Sequence, residues 1–227
     1  MDIQLHCAVS GAGKPLILLH GNGESGEYFV RQTAAFSQNY MVYALDTRGH
    51  GKSPRGTAPF TIQQFAEDLR CFMDANSLEK ASLLGFSDGG NIALAFALKY
   101  PDRVEKLILC GANLSPAGVK LPVQLPIVIG YRIALIFARW SPAAQRNAEI
   151  LGLMVNEPNI RGEELQKLDI PTLVIAGTRD MIREEHTKRI CSGIPGARLA
   201  IIPGNHFVAA KNPGPFNQTV LEFLSKT

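Results

Sequence analysis

The chain has 227 residues, enough for one α/β domain with a sizeable buried core. Its composition, 46% hydrophobic and 19% charged, is that of a globular protein and excludes a disordered one. Lys and Arg number 23 against 20 Asp and Glu, a net charge of +3 with no basic run of five or more. That excludes the concentrated basic face of a nucleic-acid binder.

In chain order, strands and helices alternate. Leu16–His20 is a short apolar run and Glu27–Ser37 reads as helix. Met41–Leu45 is a strand. Ile62–Ala75 places Ile62, Phe65, Ala66, Leu69, Phe72 and Met73 at helical spacing. Ala81–Phe86 is a strand, Asn91–Lys99 a helix stopped by Pro101, and Lys106–Cys110 a strand. Beyond residue 168, strands are expected at Thr172–Ala176 and Arg198–Ile202, with helices at Ile182–Ile190 and Phe216–Leu224. Continuous apolar strands between helices imply a mostly parallel central sheet flanked by helices on both faces.

Residues 113–168 break the rhythm and read as an insertion of two or three helices. Its most apolar part, Leu121–Trp140, is interrupted by Pro122, Pro126, Gly130, Arg132 and Arg139, so no membrane span is expected. Val123–Trp140 is apolar nearly all round and is expected to be buried or to line a pocket. Asp2 stands where a signal peptide would carry a basic residue, and no apolar segment follows, so a cytoplasmic location is expected. Cys7, Cys71, Cys110 and Cys191 show neither CxxC nor zinc-like spacing and read as reduced, mostly buried thiols. The sequons at Asn113 and Asn217 read as chance matches. No His/Cys/Asp/Glu cluster has metal-site spacing, so no metal is expected.

The strongest local signal is Gly85-Phe86-Ser87-Asp88-Gly89-Gly90, a G-x-S-x-G between a strand and a helix. Such a turn projects the serine hydroxyl above the sheet, and side chains at positions 85 and 89 would clash there. The simpler alternative is a strand-ending turn with a helix-capping serine.

With this element in place, the chain resembles the α/β-hydrolase fold family from about Ile3 onward. His20-Gly21-Asn22-Gly23 looks like that family's oxyanion loop, and Asp46-Thr47-Arg48-Gly49-His50-Gly51-Lys52-Ser53 like its D-x-R-G-x-G-x-S turn. Asp180 in Gly177-Thr178-Arg179-Asp180 looks like its catalytic acid, and His206 in Pro203-Gly204-Asn205-His206-Phe207 like its catalytic histidine. The order Ser, Asp, His is the family's. The resemblance implies an α/β-hydrolase core at 1–112 and 169–227 with a short helical cap at 113–168. Two features depart from the pattern: the first of the usual eight strands is absent, and the cap is short.

The implied chemistry is acyl transfer. Ser87 needs a base, which His206 supplies, and Asp180 orients His206. Asp169 precedes its strand, and Glu184 and Glu185 lie in the next helix, so Asp180 is favoured over all three. The backbone N–H groups of Asn22 and Asp88 are the expected oxyanion donors. The Asp88 carboxylate either complements the helix N-terminus or faces the pocket and attracts a cationic group such as an α-amine. His20 is expected to support the first loop, His50 to be structural, and His6 and His186 to be ordinary. Ile127, Ile136, Phe137, Trp140 and Met154 are expected to supply an apolar substrate pocket.

The expected activity is a cofactor-independent serine esterase acting on small or medium apolar carboxylic esters. Its alternatives are C–C, amide, thioester or lactone cleavage, or non-catalytic ligand binding. Two look-alikes are set aside. Gly21-Asn22-Gly23-Glu24-Ser25-Gly26, with Asp46 twenty residues beyond, matches a dinucleotide fingerprint but leaves Ser87, Asp180 and His206 unexplained. Gly51-Lys52-Ser53 lacks the glycine a P-loop needs at position 46.

Overall fold

The computed structural model describes residues 2–226. Seven strands form one sheet: β1 (Cys7–Ser10), β2 (Lys14–Leu19), β3 (Tyr40–Leu45), β4 (Ala81–Phe86), β5 (Val104–Cys110), β6 (Thr172–Arg179) and β7 (Arg198–Asn205). Their spatial order is β1-β3-β2-β4-β5-β6-β7. Only β1 is antiparallel, pairing Cys7 with Leu45 through Ser10 with Val42. All six residues of β4 are buried, as a central strand covered on both faces requires.

Side-chain alternation divides the core into two layers. Ile17 and Leu19 of β2 point to one face and Leu16 and Leu18 to the other. The first face is covered by α2 (Ile62–Ala75), α3 (Asp88–Lys99) and α6 (Glu184–Gly193), through residues such as Phe65, Leu69, Phe96 and Ile190. The second is covered by α1 (Val30–Phe36), α7 (Val208–Lys211) and α8 (Pro213–Leu224), with Phe36, Val208, Phe216 and Phe223. Each such buried side chain contributes roughly 1.5–3 kcal/mol. Thr61 starts α2 by accepting from the Gln64 N–H at 3.1 Å, and the six apolar positions expected on one face of that helix are all buried.

Between β5 and β6 lie α4 (Leu121–Phe137) and α5 (Pro142–Asn156). They are joined to the sheet through short 3₁₀ turns at Pro116–Gly118 and Gly162–Lys167. Both helices carry proline in the first turn, where the missing N–H leaves no bond unmade. The burial expected across Val123–Trp140 is corrected here. Ala134 is the one fully buried residue of α4. Val123, Ile127, Val128 and Tyr131 are half-buried, whereas Leu121, Leu125, Ile129, Ile133, Leu135, Ile136, Phe137 and Trp140 are exposed. The helix is apolar on two sides, and α5 covers one of them. The cysteine reading is also corrected: all four are free, but only Cys110 is buried, and Cys7, Cys71 and Cys191 are half-buried. Among the described residues, no helix is long and apolar enough to cross a membrane.

Candidate active site

The site forms at the carboxyl edge of the parallel strands, where open α/β sheets present loops from several strands to one crevice. Ser87 follows β4 with φ +54°, a conformation that non-glycine residues seldom adopt. It is held there by its own N–H bonded to the Cys110 carbonyl at 2.8 Å, and by its carbonyl accepting from Gly90 and Asn91. The flanking glycines are sterically required. A Cβ on Gly85 would collide with the Gly89 backbone, and one on Gly89 with the Leu19 and His20 carbonyl oxygens.

Ser87 Oγ lies 3.0 Å from His206 Nε2, and His206 Nδ1 lies 2.7 Å from Asp180 Oδ1. His206 follows β7 and Asp180 follows β6, and both are buried. Asp180 accepts further from the N–H groups of Ile182 at 3.0 Å and Gly177 at 3.2 Å. Burial works to raise its carboxyl, but bonding to His206, the His206 charge and these N–H groups outweigh it and hold the carboxyl below its usual range. The His206 ring sits beside Phe86 and Phe207. Gly111 leaves room for it, since a Cβ there would approach His206 Cε1 to 2.7 Å. The arrangement allows a proton to pass from the Ser87 hydroxyl to an imidazole whose other nitrogen is anchored by a carboxylate.

The loop after β2 brings Asn22 to the same edge. Its side-chain amide donates to the Ile150 carbonyl of α5 at 2.7 Å, tying the loop to that helix. Asp88 opens α3, so its N–H has no intrahelical acceptor. Its Oδ1 accepts from Asn91 at 3.1 Å, while Oδ2 has no partner, and burial pushes the carboxyl up to about 6. A narrow cavity touches Ser87, Asp88, Asn113 and Glu157 and is otherwise lined by Val119, Met154, Met181 and Ile182. Its volume is about 10 Å³, near the minimum that holds one water.

Of the five residues expected to line a pocket, Met154 alone lies on this cavity. Ile127 is half-buried elsewhere on α4, and Ile136, Phe137 and Trp140 are exposed at 61%, 53% and 62%. These three face solvent at the end of α4 and in the turn after it and do not touch the cavity, which corrects the pocket reading.

Other histidines have structural surroundings. His20 Nδ1 donates to the Gly21 carbonyl at 2.7 Å and Nε2 accepts from the Thr47 N–H at 3.0 Å. Burial lowers its pKa to about 4, so the ring is neutral. Burial likewise lowers His50, whose Nδ1 lies 3.0 Å from the Arg48 carbonyl. His186 Nε2 accepts from the Leu114 N–H. Asp46, the acid of the dinucleotide look-alike, is fully engaged within the chain. It accepts from Gly26 N–H, Lys52 N–H and His6 Nδ1 at 2.7–2.9 Å.

Several residues at the site carry no sequence signal. Glu24 accepts from the Gly21 N–H and is pushed up to about 7 by burial. Glu157 is raised by burial and accepts from the Ile62 N–H at 2.6 Å. Lys120 donates to the Asp180 carbonyl at 2.6 Å. Gly111, just past β5, was recognisable only as a glycine after a strand. Among the described residues, no group of three or more His, Cys, Asp or Glu is placed to hold a metal ion.

Residues 14–132 match the family described as the alpha/beta hydrolase fold. Over 98% of this chain and 94% of the other, the sequence is 28% identical to a provisionally named carbamate hydrolase, RutD, of Caulobacter sp. (strain K31). A hydrolase from Pseudomonas aeruginosa PA01 superposes with a TM-score of 0.80 at 26% identity, covering 99% of this chain and 95% of that one. A thermophilic esterase from Thermogutta terrifontis, solved with malate bound, superposes with a TM-score of 0.81 at 25% identity, covering 98% and 93%.

Proposed function

The chain belongs to the alpha/beta hydrolase fold family, and on that premise we propose that it is a serine hydrolase of small or medium apolar carboxylic esters. Ser87 is the nucleophile, His206 its base, and Asp180 the acid that orients His206. The observation that carries this reading is the pair of contacts Ser87 Oγ–His206 Nε2 at 3.0 Å and His206 Nδ1–Asp180 Oδ1 at 2.7 Å.

In this reading His206 takes the Ser87 proton as Oγ attacks the carbonyl, then gives it to the departing alcohol. An acyl-enzyme forms, and a water deprotonated by His206 releases the acid. The N–H groups of Asp88 and Asn22 receive the oxyanion, each donor being worth ~10²–10³ in rate. The helices of 113–168 act as a short cap. The apolar lining by Val119, Met154, Met181 and Ile182 favours uncharged acyl groups. The narrowness of the cavity favours short ones, so long chains require α5 to move.

Hydrolysis of p-nitrophenyl esters from acetate to decanoate, wild type against Ser87→Ala, tests this. The variant is expected to lose up to about 10⁶ in kcat, with acetate and butyrate the best substrates. Full activity in Ser87→Ala refutes the nucleophile. A second reading, cleavage of an amide-type carbonyl–nitrogen bond, draws on the RutD relative. Ester inactivity together with Ser87-dependent turnover of an aryl carbamate would select it.

A further inference from the structure

The outer face of α4 bears a continuous apolar stripe with nothing packed against it among the described residues. Leu121, Leu125, Ile129, Ile133 and Phe137 recur every four residues and are 51–64% exposed, and Ile136 and Trp140 widen the stripe at its end. Scattered exposed leucines need no explanation, but a contiguous apolar face along a whole helix marks an interaction site.

The charge of this region is one-sided. Between Glu105 and Glu149 the sequence has no acidic residue. Arg132 and Arg139 are exposed along the stripe, and neither has a carboxylate partner among the described residues. Arg139 stacks over the Trp140 ring at 3.7 Å, an amphipathic pair at the end of the stripe.

We propose that this face docks on an anionic phospholipid bilayer, lying in the interface without spanning it. The helix has 17 residues and is too short to cross. An apolar helix face edged by arginines and tryptophan is the chemistry that settles at the boundary of headgroups and acyl chains. A second copy of the chain fits less well. A two-fold pairing would set α4 against α4, and that helix has no acid to pair with Arg132 at the edge of the contact. α4 begins two residues beyond Val119, which lines the Ser87 cavity, so docking holds the site at the lipid surface.

The test is sedimentation with phosphatidylcholine vesicles, with and without phosphatidylglycerol. Binding is read without turnover and is therefore independent of the ester reading. The wild type is expected to pellet with anionic vesicles only, and less as salt rises. Trp140 is the sole tryptophan, so its emission should shift to the blue on binding. Arg132→Gln with Arg139→Gln should weaken binding about 25-fold, about five-fold per arginine. Leu125→Glu with Ile129→Glu should abolish it. All four positions are exposed, so an unchanged urea midpoint is expected for both variants. Equal binding to neutral vesicles, no binding to either, or a solution dimer that Leu125→Glu with Ile129→Glu dissolves would each overturn the proposal.

Discussion

Replacing Asp88 with asparagine should stabilise the protein, and by an amount that grows with pH. The Asp88 carboxyl is buried, has one oxygen without a partner, and is held at about 6 instead of 3.8. The folded state therefore binds its proton more tightly than the unfolded chain does. Stability falls as pH rises between those two values, and the full cost of the buried charge is present above pH 6. At 1.36 kcal/mol per unit that cost is roughly 3 kcal/mol near neutral pH and about 1 kcal/mol around pH 4.5. Asparagine keeps the oxygen that accepts from Asn91 and carries no charge. Urea unfolding of both proteins at about pH 4.5 and pH 7.5 should show the variant's advantage widening by about 2 kcal/mol. An advantage independent of pH, or a less stable variant at high pH, would refute the argument. The same variant also tests whether the carboxylate recognises a cationic substrate. Wild type would then prefer an amino-bearing ester over its neutral match and Asp88→Asn would lose that preference, whereas equal kcat/KM for both esters in the wild type removes the idea.

Arg48 is fully buried and donates to Asp68 at 2.7 Å through two nitrogens and to Asp2 at 2.6 and 3.0 Å. Arg48→Met should cost about 3–5 kcal/mol in urea unfolding by leaving the buried Asp68 carboxyl without its cation, with Gln64 its remaining donor, and adding Asp68→Leu should recover much of it; a single variant as stable as wild type contradicts this. Asp180→Asn should fold, by circular dichroism, yet lose about 10⁴ in ester turnover because the His206 tautomer is no longer fixed; a loss under tenfold would remove Asp180 from its role. Gly89→Ala should yield no folded protein, because its Cβ meets two rigid carbonyls. Gly23→Ala, at φ +75° but with nothing within 4 Å, should cost only about 1–2 kcal/mol. Soluble yield and urea midpoints compare the two.

The features legible in the sequence are those whose physical demands are local. The turn at Ser87 needs glycine on both sides because backbone passes backbone there, and the motif shows it. β4 and α2 have the bounds expected of them, since an apolar run that stops at the Ser87 turn and a 3.6-residue period are each complete within their own segments. β1 was missed: four residues at the sheet edge, with Ala8 and Val9 exposed, form no apolar run. β6 and β7 continue to Arg179 and Asn205 because their ladder pairs those two residues whatever their polarity. The environments of Glu24 and Glu157 arise from parts of the chain that meet only on folding. α4 is apolar around most of its circumference, so its pattern holds no information on which side finds a neighbour.

The bond from the Asn22 side chain to the Ile150 carbonyl is a mechanical link between a loop of the sheet and a helix of the insertion. Any displacement of α5 that widens the cavity must either break this bond or pull the β2 loop along. Room for a larger substrate and the posture of that loop are therefore not independent variables. Anyone transplanting a different helical pair onto this sheet must supply a carbonyl at the same point, or accept a loop that has lost its tether.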